Sequence, residues 1–131
     1  MVKLLGACIC VMSLLSVAGG RPAMVGQLKL SLLFFEGCPN SPKLMSNLKA
    51  ALKTLHLVDK VERVDILKLP NSDARRGYGS PTVLVNGREL FGLAEPKPNG
   101  AAPSCRLYEG GVPSAGDIAK RLKALPRPGH S

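Results

Sequence analysis

The feature that most constrains this fold is a dense apolar run that ends abruptly at a turn and a cysteine. The run Leu28–Phe35 is short for a helix and stops at Glu36-Gly37, and both properties favour a buried strand. A helix is predicted from Ser41-Pro42, because serine caps helices and proline is tolerated at the first helical position. Its apolar stripe consists of Leu44, Leu48, Ala51, Leu52 and Leu55.

The rest of the chain supplies three more strands and a second helix. Apolar and charged residues alternate over Val61–Leu67, which predicts a strand. The β-branched, apolar segment Thr82–Val85 predicts a third strand, and Asn86-Gly87 predicts a tight hairpin. The chain then returns through a fourth strand at Arg88–Gly92, and a last helix is predicted over Ser114–Leu125.

The order of these elements predicts an α/β fold. The first two strands are joined through a helix, so they are expected to be parallel with a right-handed crossover. The hairpin adds two antiparallel strands, which makes the four-stranded sheet mixed, with helices packed on it. The polar segment Leu69–Gly79 has room only for a short helix around Ser72–Arg76. The domain is predicted to span 28–125, followed by a flexible tail at 126–131.

The charge of the chain narrows the classes of partner. The 131 residues carry a net charge of +9, and this length favours one domain. Lysine and arginine are scattered, and three Phe, two Tyr and no Trp leave few side chains for stacking on bases. We therefore expect a solvated basic surface and no nucleic-acid partner. Such a surface can still attract an anionic thiol such as glutathione.

Residues 1–27 read as a signal-like or anchor-like segment followed by a linker. Lys3 precedes the apolar stretch Leu4–Val17, and small residues end at Ala18, where a signal peptidase would cut. The stretch is shorter than the about 20 residues of a membrane span. A signal peptide in 1–18 implies a secreted or periplasmic protein, with membrane contact only if the segment is not cleaved. Translation from Met24 is the alternative and implies a cytoplasmic protein.

Cys38 lies at the predicted junction between the first strand and the first helix. The N–H groups and dipole of a helix N-terminus stabilise an anion, so a thiol there has a lowered pKa and a larger thiolate fraction. Ser41 is predicted to cap the helix and is also placed to hydrogen-bond the thiolate. The alternative interpretation is that Cys38 is a buried apolar filler.

The other cysteines leave several possibilities open. Cys8 and Cys10 lie in the apolar leader, and their spacing suits neither an ordinary disulfide nor a metal site. Cys105 lies in a loop rich in proline and glycine, far in sequence from Cys38. It is either a resolving thiol that forms a disulfide with Cys38 during turnover or a packed residue. Arg106 would favour the Cys105 thiolate if the two side chains are exposed together.

The segment Cys38-Pro39-Asn40-Ser41, followed by Ser80-Pro81-Thr82 before the hairpin, resembles the thioredoxin superfamily. It looks like a group of small bacterial thioredoxin-like proteins with a Cys-Pro-Asn site. The resemblance implies a three-layer thioredoxin-like fold with a reduced central crossover helix, and it implies that Ser80 and Pro81 lie beside Cys38. Whether the bond before Pro81 is cis stays open. The substrate-binding residues that the resemblance implies are Pro39, Asn40, Ser80, Pro81 and Thr82.

Departures from the family pattern narrow the predicted function. Ser41 stands where a dithiol motif has its second cysteine, so a local disulfide is impossible, and no Trp precedes Cys38. We predict a thiol-dependent oxidoreductase with Cys38, Cys105 and Ser41 as catalytic residues. Cys38 would attack a disulfide, a peroxide or a glutathione adduct, and Cys105 would resolve the product.

Two other functions stay open. The first is a non-enzymatic protein that binds a soft metal such as mercury or copper, or a thiol ligand. The second is an adaptor that uses the thioredoxin-like fold for protein contacts. No cofactor is predicted. No metal site is predicted either, because His56 and His130 are isolated and no zinc-ligand spacing is present.

Overall fold

The computed structural model describes residues 28–57, 60–98, 100 and 102–126. The predictions for the N-terminal 27 residues, including the signal peptide and the alternative start, lie outside these ranges, as do the last five residues of the predicted tail. In the ranges described, the structure contains no helix with the length and apolar character needed to span a bilayer.

Four strands and two α-helices make up the described chain. They are β1 at Leu30–Phe34, α1 at Asn40–Thr54, β2 at Val61–Asp65, β3 at Thr82–Val85, β4 at Arg88–Glu89 and α2 at Ala115–Ala124. The sheet order is β2-β1-β3-β4. Strand β1 is parallel to β2 and antiparallel to β3, and β3 is antiparallel to β4. The predicted α/β class with a mixed four-stranded sheet is therefore confirmed.

The two faces of the sheet are covered by different kinds of structure. Side chains alternate between the faces of a strand, so Leu32 and Leu33 enter different clusters. The larger cluster joins the sheet to both helices and includes Leu30, Leu32, Val83, Val85, Leu44, Leu48, Leu52, Ile118 and Leu122. The smaller cluster packs the sheet against two short 3₁₀-helices, Ile66–Lys68 and Ala74–Tyr78. The short crossover between β2 and β3 thus forms the second covering layer.

Three strands are shorter than predicted. Strand β1 covers Leu30–Phe34 instead of Leu28–Phe35, and β2 and β4 each end at a carboxylate that accepts backbone N–H groups of the following turn. Strand β2 ends at Asp65, whose carboxylate accepts the backbone N–H of Leu67 at 3.0 Å and starts a 3₁₀ turn. Strand β4 ends at Glu89, whose carboxylate accepts the N–H groups of Phe91 and Leu93 at 2.8 and 2.7 Å. The predicted ends at Leu67 and Gly92 were therefore wrong. Beyond Glu89 one more backbone bond to β3 is made, from the N–H of Leu90 to the Val83 carbonyl at 3.0 Å, and the side-chain acceptors then hold the chain in a turn.

The helical predictions are close to the observed ones. The short helix expected around Ser72–Arg76 is the 3₁₀-helix Ala74–Tyr78, which begins where the Asp73 carboxylate accepts a backbone N–H. Helix α2 begins with a reciprocal capping pair, in which Ser114 and Asp117 each accept the other's backbone N–H. This pair satisfies amide groups that the first helical turn leaves without partners.

Candidate functional site

Cys38 lies in the tight turn between β1 and α1, as the sequence predicts. Gly37 has a φ of +92°, a conformation that glycine adopts without steric cost. The backbone N–H of Cys38 donates to the carbonyl of Phe35 at 3.5 Å, and helix α1 begins two residues later at Asn40. The Cys38 side chain is 4% exposed. The thiol therefore stands near a helix N-terminus but is almost completely covered.

Ser41 does not cap this helix, which corrects the sequence interpretation. The N-cap position is Pro39, which has no side-chain capping bond, and Ser41 is already inside the first turn. Its hydroxyl is buried and shares a 3.0 Å hydrogen bond with the hydroxyl of Ser80. A buried hydroxyl needs a partner, and Ser80 across the sheet satisfies this need better than the helix terminus does.

Ser80 connects the turn after β1 to the start of β3. Its hydroxyl accepts the backbone N–H of Phe35 at 3.3 Å, and its carbonyl lies 3.3 Å from the Cys38 sulfur, which donates to it when it is a thiol. The peptide bond between Ser80 and Pro81 is cis. The structure therefore brings Ser80 to Cys38, although the two residues are 42 positions apart.

The segment Ser104–Arg106, which we call the Cys105 segment, runs beside Ser80 as a short parallel bridge. The N–H of Ser80 donates to the Ser104 carbonyl at 2.9 Å, and the N–H of Arg106 donates to the Ser80 carbonyl at 2.7 Å. Cys105 lies between these two bonds, with its sulfur 3.2 Å from the Cys38 sulfur. Both cysteines are free thiols, with Cys38 buried and Cys105 exposed.

A buried ion pair and an aromatic ring hold the Cys105 segment on the sheet. Arg106 forms a 3.0 Å salt bridge with Glu89, whose side chain is 0% exposed. The Arg106 guanidinium also lies 4.2 Å from the centre of the Tyr108 ring, and the Tyr108 hydroxyl donates to the Pro81 carbonyl at 2.8 Å. Burial raises the pKa of Tyr108 to about 12, so this hydroxyl remains a donor at neutral pH.

Sequence analysis missed Glu89 and Tyr108 as parts of the site. The available signal was a carboxylate in a short predicted hairpin strand, beside apolar residues that belong to the core. A buried carboxylate requires a cationic or hydrogen-bonding partner. The sequence alone does not show that Arg106, 17 residues away, is that partner.

The two thiols have pKa values shifted in opposite directions. Burial raises the pKa of Cys38, but hydrogen bonds from the thiol of Cys105, from Ser80 and Ser41 and from the Asn40 backbone outweigh it, so the net shift is downward. The Ser80 carbonyl opposes this shift, because it can only accept and so favours the thiol. The pKa of Cys105 is raised, chiefly because its proton is held by the Cys38 sulfur. The pair thus loses its first proton from Cys38.

Arg106 does not meet the condition under which it was expected to activate Cys105. Its side chain is 16% exposed and its guanidinium is paired with Glu89, whereas Cys105 is exposed. The direction of the Cys105 pKa shift is upward. The contribution of Arg106 is to hold the segment in place, and Cys38 carries the more acidic thiol.

The other predicted substrate-binding residues lie around this pair. Pro39 is exposed and Asn40 is half-buried, whereas Pro81 and Thr82 are buried. The Thr82 hydroxyl already bonds the Gly79 carbonyl at 3.1 Å and accepts from Arg106 at 3.3 Å. Substrate contacts at these four positions and at Ser80 therefore stay predictions, and Ser80 and Thr82 are both 0% exposed.

Removal of the Cys105 thiol is expected to raise the pKa of Cys38. In Cys105→Ala the strongest pKa-lowering hydrogen bond at Cys38 disappears, while Cys105→Ser keeps a hydroxyl donor at the same place. The pH at which Cys38 becomes a thiolate should therefore be highest in the alanine variant and intermediate in the serine variant. Ultraviolet thiolate absorbance against pH measures it, and equal midpoints in wild type and alanine variant would contradict the assignment.

The comparisons with known proteins found no relative of this chain. No model of a known protein family matches the chain, and neither the curated proteins nor the solved structures contain a match to it. The functional interpretation therefore depends on the geometry of the thiol pair and on the residues that hold it.

Proposed function

We propose that this protein is a thiol-dependent oxidoreductase that cycles between a Cys38–Cys105 dithiol and an intramolecular disulfide. The observation that carries the proposal is the 3.2 Å contact between the two sulfurs, which is about 1 Å longer than the about 2.05 Å of a disulfide bond. A small shift of the Cys105 segment would close the bond. The oxidant would be a disulfide, a glutathione adduct or a peroxide.

The chemistry of the cycle follows from the two thiols. The sequence predicts that Cys38 attacks the substrate and Cys105 resolves the product, but the proposed order is the reverse, because Cys105 is exposed and Cys38 is 4% exposed. The Cys105 thiolate attacks oxidised glutathione and releases one glutathione thiolate, and the Cys38 thiolate then attacks the Cys105 sulfur of the mixed disulfide. The bond between Cys105 and glutathione breaks, the Cys38–Cys105 bond forms, and a glutathione thiolate leaves. Hydrogen bonds from Ser80, Ser41 and the Asn40 backbone lower the pKa of Cys38 and so enlarge the fraction that is present as the nucleophilic thiolate. Ser41 supports this role through Ser80, which it holds beside Cys38.

A thioredoxin-like fold is part of the same proposal. It is supported by the order of a βαβ unit, a short crossover, a hairpin and a final helix, and by the position of Ser80-Pro81 beside Cys38. The site differs from a local dithiol motif because the second sulfur comes from a distant loop. This arrangement provides a second thiol although Ser41 replaces the expected second cysteine.

Soft-metal binding is the second candidate, because two adjacent thiols suit ions such as copper(I) or mercury(II). Sulfurs that share one ion lie about 3.8 Å or more apart when metal–sulfur bonds are about 2.3 Å long. The observed contact is shorter and closer to a disulfide. This geometry favours redox chemistry over metal storage.

Oxidation of the reduced protein by oxidised glutathione tests the proposal. We expect wild type to lose the thiols of Cys38 and Cys105 and two hydrogen masses, with a proteolytic fragment that links Cys38 to Cys105. The single variants Cys38→Ala and Cys105→Ala cannot form this link, and each should instead keep its thiol or gain one glutathione. Wild type should also catalyse reduction of a small disulfide by glutathione. Persistently free thiols at both Cys38 and Cys105 in wild type, with no turnover, would reject the redox function. Tight binding of mercury(II) by that protein, lost in either cysteine variant, would support the second candidate.

A further inference from the structure

We propose that thiols from outside the protein exchange at Cys105, while Cys38 is the sulfur that leaves when the disulfide opens and attacks when it closes. The inference rests on the proposed redox function and adds the site and class of exchange. Cys105, in the loop, is the residue that reacts with the external thiol, although Cys38 is the cysteine that lies in the turn before the helix. The substrate class is a small-molecule thiol or an equally exposed cysteine.

Access to the two sulfurs is unequal. Cys38 is 4% exposed, and Cys105 is exposed. The Cys105 sulfur lies 3.2 Å from Cys38, and the Ser80 carbonyl lies 3.3 Å from the same Cys38 sulfur. Two backbone hydrogen bonds and the Arg106–Glu89 ion pair hold the Cys105 segment in place over Cys38. An incoming thiol therefore reaches Cys105 first.

The geometry of thiol–disulfide exchange gives the same assignment. The incoming sulfur, the attacked sulfur and the leaving sulfur lie close to a line in this reaction. If Cys105 is attacked, the nucleophile approaches from solvent and Cys38 leaves into its buried position. If Cys38 is attacked, the nucleophile must approach from the side opposite Cys105, where the protein interior leaves no open path to a sulfur that is 4% exposed.

Cys38 is also a better leaving group than Cys105. A thiol with a lower pKa leaves faster, and the hydrogen bonds from the hydroxyls of Ser80 and Ser41 and from the Asn40 backbone, which do not depend on a proton at Cys105, favour a Cys38 thiolate. Access and leaving-group quality therefore agree on the same direction of attack.

The step balances in atoms and electrons. A glutathione thiolate attacks the Cys105 sulfur, the bond between Cys105 and Cys38 breaks, and its electron pair stays on Cys38 as a thiolate. A second glutathione thiolate then attacks the mixed disulfide at its glutathione sulfur. Oxidised glutathione leaves, and the Cys105 thiolate takes a proton. Two electrons pass from two glutathione thiols to the protein disulfide.

The backbone of Ser80 restricts the outside partner further. Its N–H and its carbonyl are both bonded to the Cys105 segment, at 2.9 and 2.7 Å. An extended polypeptide therefore cannot pair with Ser80 while the segment is in place. Exchange at the exposed Cys105 needs no such pairing, and this favours small thiols as partners.

The test begins from the isolated Cys38–Cys105 disulfide form of the full chain. A limiting amount of glutathione is added, the reaction is stopped with acid at several early times, free thiols are alkylated, and each cysteine is mapped by mass spectrometry. Extrapolated to zero time, we expect glutathione on Cys105 and the alkyl group on Cys38, in at least about tenfold excess over the reverse. Equal amounts, or glutathione mainly on Cys38, would overturn the inference. If no disulfide form can be prepared at all, the proposed function has failed instead.

A second measurement separates access from intrinsic reactivity. The variants Cys38→Ser and Cys105→Ser are each treated with oxidised glutathione at the same neutral pH, and mass spectrometry follows modification at the cysteine of the pair that remains. In Cys105→Ser the serine keeps Cys38 covered and hydrogen-bonded. We therefore expect glutathionylation of Cys38 in this variant to be at least about tenfold slower than glutathionylation of Cys105 in Cys38→Ser. Faster reaction at Cys38, as its lower pKa alone would give, would contradict the inference.

Discussion

Replacing Glu89 with alanine is expected to lower the free energy of unfolding by about 3–5 kcal/mol, the usual loss when one partner of a buried ion pair is removed. The Glu89 side chain is 0% exposed and its two oxygens bond Arg106, Phe91 and Leu93 at 2.7–3.0 Å. Alanine leaves a cation and two backbone N–H groups without their acceptor. For a domain with a typical total stability of about 5–15 kcal/mol, this is a large fraction.

The matched control is Glu89→Gln. Its amide oxygen can still accept from the backbone of Phe91 and Leu93, but it carries no charge for Arg106. Urea unfolding followed by circular dichroism should place the glutamine variant between wild type and alanine. The rate of Cys105 alkylation should rise in the same order, because Arg106 then holds the Cys105 segment less firmly. Equal stability of wild type and Glu89→Ala would show that the ion pair contributes nothing to the fold.

Replacing Gly79 with alanine is expected to slow formation of the Cys38–Cys105 disulfide by about 10–100-fold, because small misplacements of reacting groups have effects of this size. An added Cβ would lie 3.0 Å from the Ser104 carbonyl oxygen and 3.3 Å from the Arg106 Cβ. Gly79 also has φ +81° and ψ 176°, a combination that is essentially restricted to glycine. The Cys105 segment must therefore move away from Ser80, and its sulfur from Cys38.

Gly87→Ala is the control for this prediction. Gly87 has a φ of +82°, but an added Cβ there would meet no atom within 4 Å. It tests the effect of a strained positive φ on the fold without a clash at the thiol pair. We expect lower stability in both variants and slower disulfide closure only in Gly79→Ala, measured under oxidised glutathione. The same slowing in both would mean that general destabilisation, and not contact with the Cys105 segment, sets the rate.

The sequence predicted the elements whose signals are local. The apolar run of β1, the stripe of α1, the Asn86-Gly87 hairpin and the cap of α2 each depend on residues only a few positions apart. Thr82–Val85 is observed with the predicted bounds, and the mixed α/β sheet follows from the order of the elements. The errors are at the ends of β1, β2 and β4. At the last two, Asp65 and Glu89 accept backbone N–H groups of the turn that follows the strand.

The cysteine in the turn after β1 is a case in which the sequence determined the position but not the surroundings. A strand, a glycine and a helix start are sufficient to place Cys38 at a helix N-terminus, and this placement alone predicts an acidic thiol. The same local pattern predicted Ser41 as the helix cap. The hydrogen bond between the Ser41 and Ser80 hydroxyls joins distant residues, so the local sequence did not predict it. The prediction that Ser80 and Pro81 lie beside Cys38 was based on the resemblance to the thioredoxin superfamily. Only the folded chain shows the contact of Ser80 with Cys38.

Only the tertiary structure decided which residue Cys105 contacts. It is 67 residues from Cys38, in a loop without hydrophobic periodicity, so no local pattern connects the two. Their contact depends on β3 lying beside β1, on both backbone groups of Ser80 being free to bond the loop, and on a buried carboxylate that holds Arg106. Local sequence fixes the conformation of neighbouring residues, whereas contacts between distant residues follow from packing of the whole core. For that reason the sequence determined an acidic thiol at Cys38, and the fold supplied its second sulfur.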